Sequence, residues 1–378
     1  MKNLAQHFTE GYFSKLLIES IQSRGPKVIV DLGIGDGALT TEAIKKWRYA
    51  KYYGVDLDND RLRQVNKLLP TVTLHNLNSL DICLDEKIKL KFGTVDIAIC
   101  NPPYITLKKT NKYKIILNRA GLNNSVNLVS YSSDLIFLAQ NINLLRDQGT
   151  LGIIVPEGII CGHNFSLLRK DLIENHDLKS VIQLEPKIFK KTDAKTYILI
   201  LNKGKSSSEK VELCLACKEG KIVSRIIVQK DRLEKRMDYL YHNSKNTPKN
   251  GPSLSEIGVK IQRGNCSKNI LSEKKVAYFH TTHFTKDKKL KFTNNSYSMK
   301  EMPTIAKAGD ILLARVGRNC YNKVSIISSG KIAITDCIFK ISAKKEYRDK
   351  IYSKLNSRNG KLYLKKVLHG VCAQFISK

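Results

Sequence analysis

The chain has 378 residues, with 65 Lys and Arg against 34 Asp and Glu, which gives a formal net charge of +31. A hydrophobic content of 42% and a charged content of 26% are ordinary for a soluble globular protein, and the length allows two domain cores. The nine cysteines form no disulfide framework, and the sequence has no secretory signal or apolar run of transmembrane length. These features argue against a secreted or membrane-spanning protein and predict a cytoplasmic one with reduced thiols.

The first 205 residues alternate strand-like and helix-like segments. The run GPKVIVDLGIGDG (25–37) predicts a strand that breaks into a glycine-rich turn, followed by a helix over 38–47 and a strand over 51–58. This order is a βαβ unit, which implies a parallel sheet. The alternation continues through segments at 71–76, 95–100, 133–146, 149–156, 163–175, 178–185 and 195–203. The expected fold class is α/β, with a doubly wound, Rossmann-like sheet over residues 1–205.

The chain beyond this region has a different pattern. The polar run NKGKSSSEK is typical of a break between domains, so residues 206–235 are predicted to be a linker or connector. Short strand-like runs then alternate with turns up to a basic helical segment at 347–368, which predicts a smaller α+β domain over residues 236–378. The Cys-x-x-Cys pair Cys214 and Cys217 has no second pair at zinc spacing, so a strand or turn is expected there and no metal site is predicted.

The glycine-rich turn has the spacing Gly-x-Gly-x-Gly at Gly33, Gly35 and Gly37, which differs from the dinucleotide fingerprint Gly-x-Gly-x-x-Gly. Such a turn lets the backbone approach a ligand at the open edge of a parallel sheet. Asp31 ends the first strand, where its carboxylate could bind an ammonium group. Asp56 ends the second strand, 25 residues later, where a carboxylate typically holds ribose hydroxyls. On these residues alone a nicotinamide cofactor stays open as an alternative.

The stretch VDIAICNPPYIT (95–106) ends a strand with two consecutive prolines. Neither proline can continue a helix or donate to a sheet ladder, so the chain must leave its strand at Asn101. The strand therefore ends in an amide, two rigid rings and a phenol, at Asn101, Pro102, Pro103 and Tyr104. A strand end this stiff is suited to holding one ligand group in place.

Taken in order, the glycine turn, the acid after the second strand and the Asn-Pro-Pro-Tyr sequence resemble the motifs of the gamma-class N6-adenine DNA methyltransferases. The resemblance covers about the first 205 residues and implies S-adenosyl-L-methionine as cofactor. It implies cofactor contacts from AQHFTE (5–10), VDLGIGDG, GVDLD and the later strand ends, at Phe8, Thr9, Asp31, Gly33, Gly35, Asp56, Leu57, Asn78 and Asn101. The family usually carries an acid at the position of Asn78, whose amide oxygen can still accept a hydrogen bond.

The same resemblance makes the Asn-Pro-Pro-Tyr sequence the catalytic motif and places Phe189 against a flipped base. The lone pair of an adenine N6 nitrogen is delocalised into the ring, so this nitrogen is a poor nucleophile. The Asn101 side-chain oxygen and the Pro102 carbonyl could accept its two hydrogens, which localises the lone pair for attack on the sulfonium methyl. A base in a duplex is reached only by extrusion, so Tyr104 and Phe189 are expected to stack on it.

The basic charge is concentrated in the second half of the chain. Residues 1–200 hold 27 basic and 20 acidic residues, whereas residues 201–378 hold 38 and 14. A surplus of this size favours a polyanionic partner, usually nucleic acid and less often an anionic membrane surface. A lysine-rich genome would bias both halves alike, so it does not explain the difference. The asymmetry predicts a basic docking half behind the catalytic half.

Residues 236–378 resemble the target-recognition domain of type I specificity subunits, through RMDYLYHN, LSEIGVKIQRGNCSK, KAGDILLARVGRNCYNKVSII and LHGVCAQFIS. The resemblance implies double-stranded DNA as partner and base or phosphate contacts from Arg315, Arg318, Asn319 and Lys323. In that family a spacer helix usually follows the closing segment, whereas this chain stops at Lys378. A monomer or a fragment is therefore expected. No nuclease region precedes the methyltransferase motifs, so fused cleavage activity is not expected.

The leading hypothesis is a site-specific DNA adenine-N6 methyltransferase of a restriction-modification system, acting alongside a separate restriction endonuclease. RNA adenine is an alternative substrate, and so is a protein glutamine amide, although a basic domain would serve no purpose on a protein substrate. A third alternative is a DNA-binding specificity or regulatory protein with an inactive methyltransferase fold, against which the intact motifs argue. The motif chemistry does not separate adenine from cytosine N4, and the resemblance favours adenine through the first Asn of the motif.

Overall fold

The structure is a computed structural model that describes residues 11–184, 195–244, 254, 256–285, 287–294, 303–369 and 375–376. The chain divides into two compact units, Met1–Ser244 and Lys245–Lys378. Within the described ranges, no helix combines the length and apolar character needed to cross a membrane.

The first unit alternates strands and helices along the chain. Its strands are β1 (Val28–Leu32), β2 (Lys51–Asp56), β3 (Val72–Asn76), β4 (Val95–Cys100), β5 (Thr106–Leu107), β6 (Tyr131–Ser132), β7 (Leu145–Pro156), β8 (Asp177–Gln183), β9 (Thr196–Asn202), β10 (Lys210–Ala216) and β11 (Ile222–Gln229). Its helices are α1 (Gly11–Ser20), α2 (Ala38–Lys46), α3 (Asn59–Leu68), α4 (Leu84–Ile88), α5 (Asn111–Arg119), α6 (Ser133–Leu144), α7 (Glu157–Cys161), α8 (Ser166–Asn175) and α9 (Tyr239–Ser244). Every strand and helix predicted between residues 25 and 203 forms, with ends that differ by a few residues.

Nine of these strands form one sheet in the order β11-β10-β8-β9-β7-β4-β1-β2-β3. The neighbouring strands β7, β4, β1, β2 and β3 pair in parallel, and so do β10 and β8. Strand β9 is antiparallel to both of its neighbours, and β11 is antiparallel to β10. The α/β class and the doubly wound sheet predicted from the sequence are therefore confirmed.

Helices cover both faces of this sheet. Alternate residues of each strand point to opposite faces, so each strand contributes to two cores. On one face Ile29 and Ile97 pack in a core with α1, α2 and α3. On the other face Val30 and Ala98 pack in a core with α5, α6 and α8. All twelve residues of α6 are buried, which places this helix in the middle of the second core.

The prediction that residues 206–235 form a linker is wrong. They contain β10 and β11, which extend the first sheet beyond β8. Val211 and Leu213 on β10 are almost fully buried, because the strand contributes to the same core as the central strands. The polar run that suggested a linker is only the connection between β9 and β10.

The boundary between the two units lies after Ser244, so the prediction that the second domain begins at Arg236 is also wrong. Met237, in the RMDYLYHN segment, is fully buried and its N–H donates to the carbonyl of Ile160 at 3.0 Å. The buried guanidinium of Arg169 donates to three backbone carbonyls, those of Ile159, Glu234 and Lys235. These contacts pack the segment against the first unit.

The second unit is an α+β unit, as predicted. Its strands are β12 (Lys260–Arg263), β13 (Tyr278–Phe279), β14 (Lys289–Asn294), β15 (Ile305–Lys307), β16 (Ile311–Ala314), β17 (Val324–Ile334), β18 (Ile338–Ser342), β19 (Leu368–His369) and β20 (Phe375–Ile376). Its helices are α10 (Lys268–Glu273), α11 (Lys345–Asn356) and α12 (Arg358–Lys366). Strand β17 is the centre of a seven-stranded sheet and pairs with β13, β14, β15 and β16.

Candidate active site

The carboxyl ends of four parallel strands meet at one edge of the first sheet. Leu32 pairs with Val55 between β1 and β2, and Asp31 pairs with Ile99 between β1 and β4. Strand β3 ends beside β2 in the same direction. The residues that follow these strand ends therefore lie close together, which is the usual place of a ligand site in an open α/β sheet.

A cavity of about 300 Å³ opens at this edge. Eight of the predicted site residues line it: Gly33, Gly35, Asp56, Leu57, Asn78, Asn101, Pro102 and Pro103. The sequence analysis did not identify its other lining residues, which are Ile34, Asp36, Ala38, Leu39, Arg61, Ser79, Leu80, Ile105, Leu107, Tyr113, Ser133 and Phe137. The predicted cofactor and catalytic motifs thus share one cavity.

The glycine turn needs its glycines for two reasons. Gly33, Gly35 and Gly37 have φ angles of 78°, 57° and 79°, a left-handed conformation that costs other residues free energy. A Cβ atom on Gly33 would also lie 3.3 Å from the ring of Phe137. The turn is held against β2, because the Gly33 N–H donates to the carbonyl of Val55 at 2.7 Å. The backbone therefore approaches the cavity without a side chain in the way.

Asp56 holds the glycine turn in addition to lining the cavity. Its Oδ2 accepts the N–H of Gly35 at 2.9 Å, and its Oδ1 accepts the N–H of Asp58 at 2.9 Å. Each carboxylate oxygen has two lone pairs and can accept one more hydrogen bond. Asp56 is therefore suited to accepting hydrogen bonds from ligand hydroxyls at the cavity wall.

Asp31 lies behind the cavity wall and does not line it. It is 2% exposed, and its Oδ2 accepts a hydrogen bond from the Thr40 hydroxyl at 2.8 Å. None of the described residues donates to its Oδ1. Burial raises the pKa of Asp31 to about 7, and the nearby Asp56 and Asp36 carboxylates add to that effect. Its predicted contact with a cofactor ammonium group stays a prediction.

We expect Asp31→Asn to stabilise the folded protein, and more so as the pH rises. The folded-state pKa of about 7 lies above the ordinary 3.8, so ionisation of Asp31 above pH 4 costs the folded state more than the unfolded one. The variant should therefore gain roughly 3 kcal/mol of unfolding free energy relative to the wild type between pH 5 and pH 8.

Urea unfolding of both proteins at several pH values measures this difference. Asp60→Asn is the matched control, because that side chain is 84% exposed and its loss should give no such slope. An Asp31→Asn advantage that does not change with pH would show that the carboxylate titrates normally.

Asn78 lines the cavity and also shapes the loop after β3. Its Oδ1 accepts the N–H of Leu80 at 3.0 Å, and its carbonyl accepts the N–H of Asp81 at 3.0 Å. This is a side-chain turn of the kind that both Asn and Asp form. The amide can therefore replace an acid in the loop geometry while its oxygen keeps capacity for a second donor.

The Asn-Pro-Pro strand end lies on β4, next to the glycine turn. The Cys100 thiol at the end of β4 donates to the carbonyl of Leu32 at 2.9 Å, which ties the ends of β4 and β1 together. Beyond the prolines, β5 pairs antiparallel with β6, immediately before α6. The rigid proline pair is thus fixed on both sides, and Asn101 and Pro102 project into the cavity wall.

Tyr104 is half-buried, and its hydroxyl is buried. Burial raises the pKa of this phenol well above its ordinary value, and the neighbouring Asp134 carboxylate raises it further. Asp134, in the first turn of α6, is itself 2% exposed, and burial raises its pKa to about 6. With the hydroxyl end held inside the protein, only the ring of Tyr104 is available for stacking.

Three predicted residues lie outside the described part of the chain. Phe8 and Thr9, predicted to contact the cofactor, fall within residues 1–10, and Phe189, predicted to stack on the base, falls within residues 185–194. Their roles stay predictions.

The four residues predicted to contact DNA lie on one connection of the second unit, between β16 and β17: Arg315, Arg318, Asn319 and Lys323. Arg318 and Asn319 are exposed, whereas Arg315 and Lys323 are partly buried. Asn319 has a φ angle of 57°, a left-handed conformation that Asn tolerates better than most residues. The exposed part of this connection is therefore short and polar.

Arg315 and Lys323 are tied to neighbouring backbone. The Arg315 Nε donates to the carbonyl of Asp336 at 2.9 Å, and the Lys323 Nζ donates to the carbonyl of Thr281 at 2.9 Å. Arg263, on β12, donates to the same Asp336 carbonyl at 2.9 Å and pairs with its carboxylate at 3.0 Å. Two arginines thus meet at Asp336, and the sequence analysis missed Arg263 because it lies on a distant strand.

The first unit's cavity fits S-adenosyl-L-methionine by the chemistry of its wall. Asp56 offers carboxylate oxygens for ribose hydroxyls, and Leu57, 56% exposed, offers apolar surface beside it. The glycine turn leaves room for a ligand close to the backbone.

The nine-stranded sheet and the cavity at the carboxyl ends of its parallel strands are those of a Rossmann-like α/β protein with a ligand site at that edge. The N-6 DNA Methylase family matches residues 1–277, and the chain belongs to that family.

Relatives of this chain include a methylase subunit of a restriction enzyme and an rRNA methyltransferase. The methylase subunit of the type I restriction enzyme MpnII from Mycoplasma pneumoniae is 23% identical over an alignment of 229 residues, and the match covers 56% of this chain and 42% of that protein. The rRNA N(6)-adenosine-methyltransferase metl-5 from Caenorhabditis elegans is 35% identical over 95 residues, 24% of this chain and 44% of that protein. The chain thus spans less than half the length of each relative.

The similarity to a solved structure covers both units. The crystal structure of the type IIG restriction endonuclease BpuSI matches with a TM-score of 0.52 and 13% identity, over 94% of this chain and 55% of that chain. At this identity the likeness is one of fold alone.

Proposed function

We propose that this protein is a site-specific DNA methyltransferase that transfers a methyl group from S-adenosyl-L-methionine to the N6 nitrogen of adenine. The observation that carries the proposal is that one cavity wall contains both the Asn-Pro-Pro strand end and the glycine turn with Asp56. A methyl acceptor held at Asn101 would lie beside a cofactor held at Gly33 and Asp56.

The acceptor chemistry depends on hydrogen-bond acceptors that are held in place before the reaction. S-adenosyl-L-methionine supplies an electrophilic methyl group when it is bound. The Asn101 side-chain oxygen and the Pro102 carbonyl accept the two hydrogens of the adenine amino group and direct its lone pair towards the cofactor side of the cavity. Asn101 and Pro102 take up no proton themselves, and the surplus proton of the product passes to solvent.

The target base leaves the duplex to reach this site. Extrusion costs a few kcal/mol, which stacking on aromatic rings partly offsets. Tyr104 supplies such a ring, since its hydroxyl is buried near Asp134 and its ring borders the strand end. Phe189 is the second stacking residue in this proposal.

The second unit binds the DNA in this proposal. Residues 245–378 hold 28 Lys and Arg against eight Asp and Glu, so the unit carries a strong positive charge. Non-specific phosphate contacts supply much of the affinity of such a surface, and exposed Arg and Asn side chains read base edges. Arg318 and Asn319 are the exposed candidates on the β16–β17 connection, and Arg315 and Lys323 support it.

A restriction-modification system is the proposed setting. The relative from Mycoplasma pneumoniae is a methylase subunit of a type I restriction enzyme. A protein of this kind protects host DNA against an endonuclease, which we place on a separate chain. A monomer is the proposed active form.

RNA adenine is the second candidate substrate, because the relative from Caenorhabditis elegans is an rRNA N(6)-adenosine-methyltransferase. That relative matches only 24% of this chain, so it does not account for the basic second unit.

Methyl transfer to isolated nucleic acids tests the proposal. The full chain is incubated with labelled S-adenosyl-L-methionine and either unmodified genomic DNA or total RNA, and the nucleosides are identified by mass spectrometry. We expect label in N6-methyldeoxyadenosine. Label only in N6-methyladenosine from RNA would assign the RNA substrate, and label in N4-methyldeoxycytidine would overturn the adenine assignment.

A further inference from the structure

One face of α6 contacts three separate parts of the cavity wall. Ser133, Phe137 and Gln140 are spaced by four and three residues, so they lie on the same side of the helix. Ser133 and Phe137 line the cavity themselves, and Gln140 lies behind it. The helix is buried along its whole length, which fixes these three side chains relative to one another.

Ser133 holds the loop that carries the Asn-Pro-Pro-Tyr motif. Its hydroxyl donates to the carbonyl of Pro103 and accepts the N–H of Ile105 at 2.9 Å. Its own N–H donates to the carbonyl of Ile105 at 2.8 Å. Ser133 is 2% exposed, so water does not compete for these bonds. Three hydrogen bonds from one residue therefore fix the chain that flanks Tyr104.

Gln140 holds the loop after β3. Its Nε2 donates to the carbonyl of Asp81 at 2.5 Å and to the carbonyl of Ser79 at 3.2 Å. Its side chain is fully buried. The same loop contains Asn78 and Leu80, which line the cavity. The buried amide therefore sets the position of the part of the wall that carries Asn78, one of the predicted cofactor contacts.

Phe137 lies between these two contacts and packs against the glycine turn, since a Cβ atom on Gly33 would be 3.3 Å from its ring. Along the helix Ser133 and Gln140 are about 10 Å apart, from the rise of 1.5 Å per residue. Helix α6, which is part of neither loop, therefore fixes the distance between the two loops.

We propose that Ser133 and Gln140 are positioning residues for methyl transfer, in which Ser133 sets the acceptor loop and Gln140 sets the cofactor loop. The identity of the acceptor and of the cofactor rests on the proposed function. Loss of the Ser133 hydroxyl releases the acceptor loop and lowers the rate of the chemical step. Loss of the Gln140 amide releases the cofactor loop and weakens cofactor binding.

Two variants of the full chain, Ser133→Ala and Gln140→Met, separate the two roles. For Ser133→Ala we expect kcat on DNA to fall at least tenfold while the dissociation constant of S-adenosyl-L-methionine, measured by calorimetry, changes less than twofold. For Gln140→Met we expect that dissociation constant to rise at least fivefold, with kcat at saturating cofactor within threefold of the wild type.

Two controls report loss of a buried polar group outside the cavity wall. Ser125→Ala removes a buried hydroxyl that bonds the Asp171 carboxylate at 2.5 Å. Gln183→Met removes a buried amide that accepts the N–H of Leu240 at 3.2 Å. Both should lower Tm and leave kcat and the cofactor dissociation constant unchanged. Equal losses of both quantities in every variant, or effects no larger than those of the controls, would overturn the positioning roles.

Hydrogen exchange followed by mass spectrometry gives a readout that does not require activity. Exchange of the Ile105 amide, which donates to the Ser133 hydroxyl, should accelerate at least tenfold in Ser133→Ala and not in Gln140→Met. Exchange in residues 79–83 should accelerate only in Gln140→Met. If the wild type methylates no DNA but the two variants show this exchange pattern, the proposed function fails, while the roles of Ser133 and Gln140 in holding the two loops stand. Unchanged exchange in both variants would overturn the positioning roles alone.

Discussion

Asn101→Ala is expected to lower kcat for methyl transfer by at least a hundredfold, with little change in cofactor affinity. The side-chain oxygen of Asn101 is one of two acceptors at the end of β4, and removal of one preorganised hydrogen-bonding group of this kind typically costs 10²–10³ in kcat. In the proposed function the glycine turn and Asp56 hold most of the cofactor, so its dissociation constant should rise less than threefold. Single-turnover kinetics with labelled S-adenosyl-L-methionine, together with calorimetry, separate the two quantities.

Two further variants make this result specific. Asn101→Asp keeps an oxygen acceptor of nearly the same size, so we expect it to lose less activity than Asn101→Ala. Asn175→Ala is the control, because its Nδ2 donates to the carbonyl of Gly121 at 2.8 Å outside the cavity wall. It should cost about 1 kcal/mol of stability and leave kcat unchanged. A kcat for Asn101→Ala within tenfold of the wild type would remove Asn101 from the acceptor role.

The arrangement of the cavity could be predicted from the sequence because parallel strands end at a common edge. Gly33, Asp56 and Asn101 each follow or end a short run of β-branched and apolar residues, and their strands are neighbours in the sheet. These three residues, which are far apart in the chain, therefore lie close together at that edge. Asp31 is the exception, since a side chain at a strand end can point away from the open edge, and here it points towards Thr40 on α2.

The contribution of α6 to the site could not be predicted in the same way. The helix itself is evident from the run SDLIFLAQNINL, but its polar residues suggest an exposed side. In the structure Ser133 and Gln140 are buried, because they satisfy backbone groups of loops far away in sequence. Such bonds leave no local signal, since neither the spacing nor the residue type on α6 identifies the loop that is bonded.

The prediction of the domain boundary was wrong for a related physical reason. A polar run with Ser and Gly marks a surface connection, but it does not show whether the next strand returns to the same sheet. Strand β10 returns to the sheet and pairs in parallel with β8. The two strands are about 27 residues apart in the chain, because β8 ends at Gln183 and β10 begins at Lys210. Only the tertiary pairing decides this, so the linker prediction failed while the strand-like character of VELCLA remained visible.

Arg169→Met is expected to cost at least 3 kcal/mol of unfolding free energy. The Arg169 side chain is fully buried and donates to the carbonyls of Ile159, Glu234 and Lys235 at 2.7 to 3.0 Å. Burial lowers the pKa of Arg169 to about 10, so the guanidinium is still charged at neutral pH. Methionine fills a similar volume but leaves three buried acceptors without donors, each at a cost of about 1–3 kcal/mol. Urea unfolding followed by circular dichroism measures the loss.

The same substitution has a local consequence, because the bonded carbonyls belong to the segment that leads out of the first unit. Without Arg169 the carbonyls of Glu234 and Lys235 lose their hydrogen-bond donor, whereas the Met237 N–H keeps its bond to Ile160. The segment should therefore become sensitive to trypsin before the unit unfolds. Arg63→Met is the matched control, since that side chain is 71% exposed and should cost less than about 0.5 kcal/mol. A loss below 1 kcal/mol for Arg169→Met would mean that water replaces the guanidinium, and that packing of Met237 and Tyr239 alone holds the segment to the sheet.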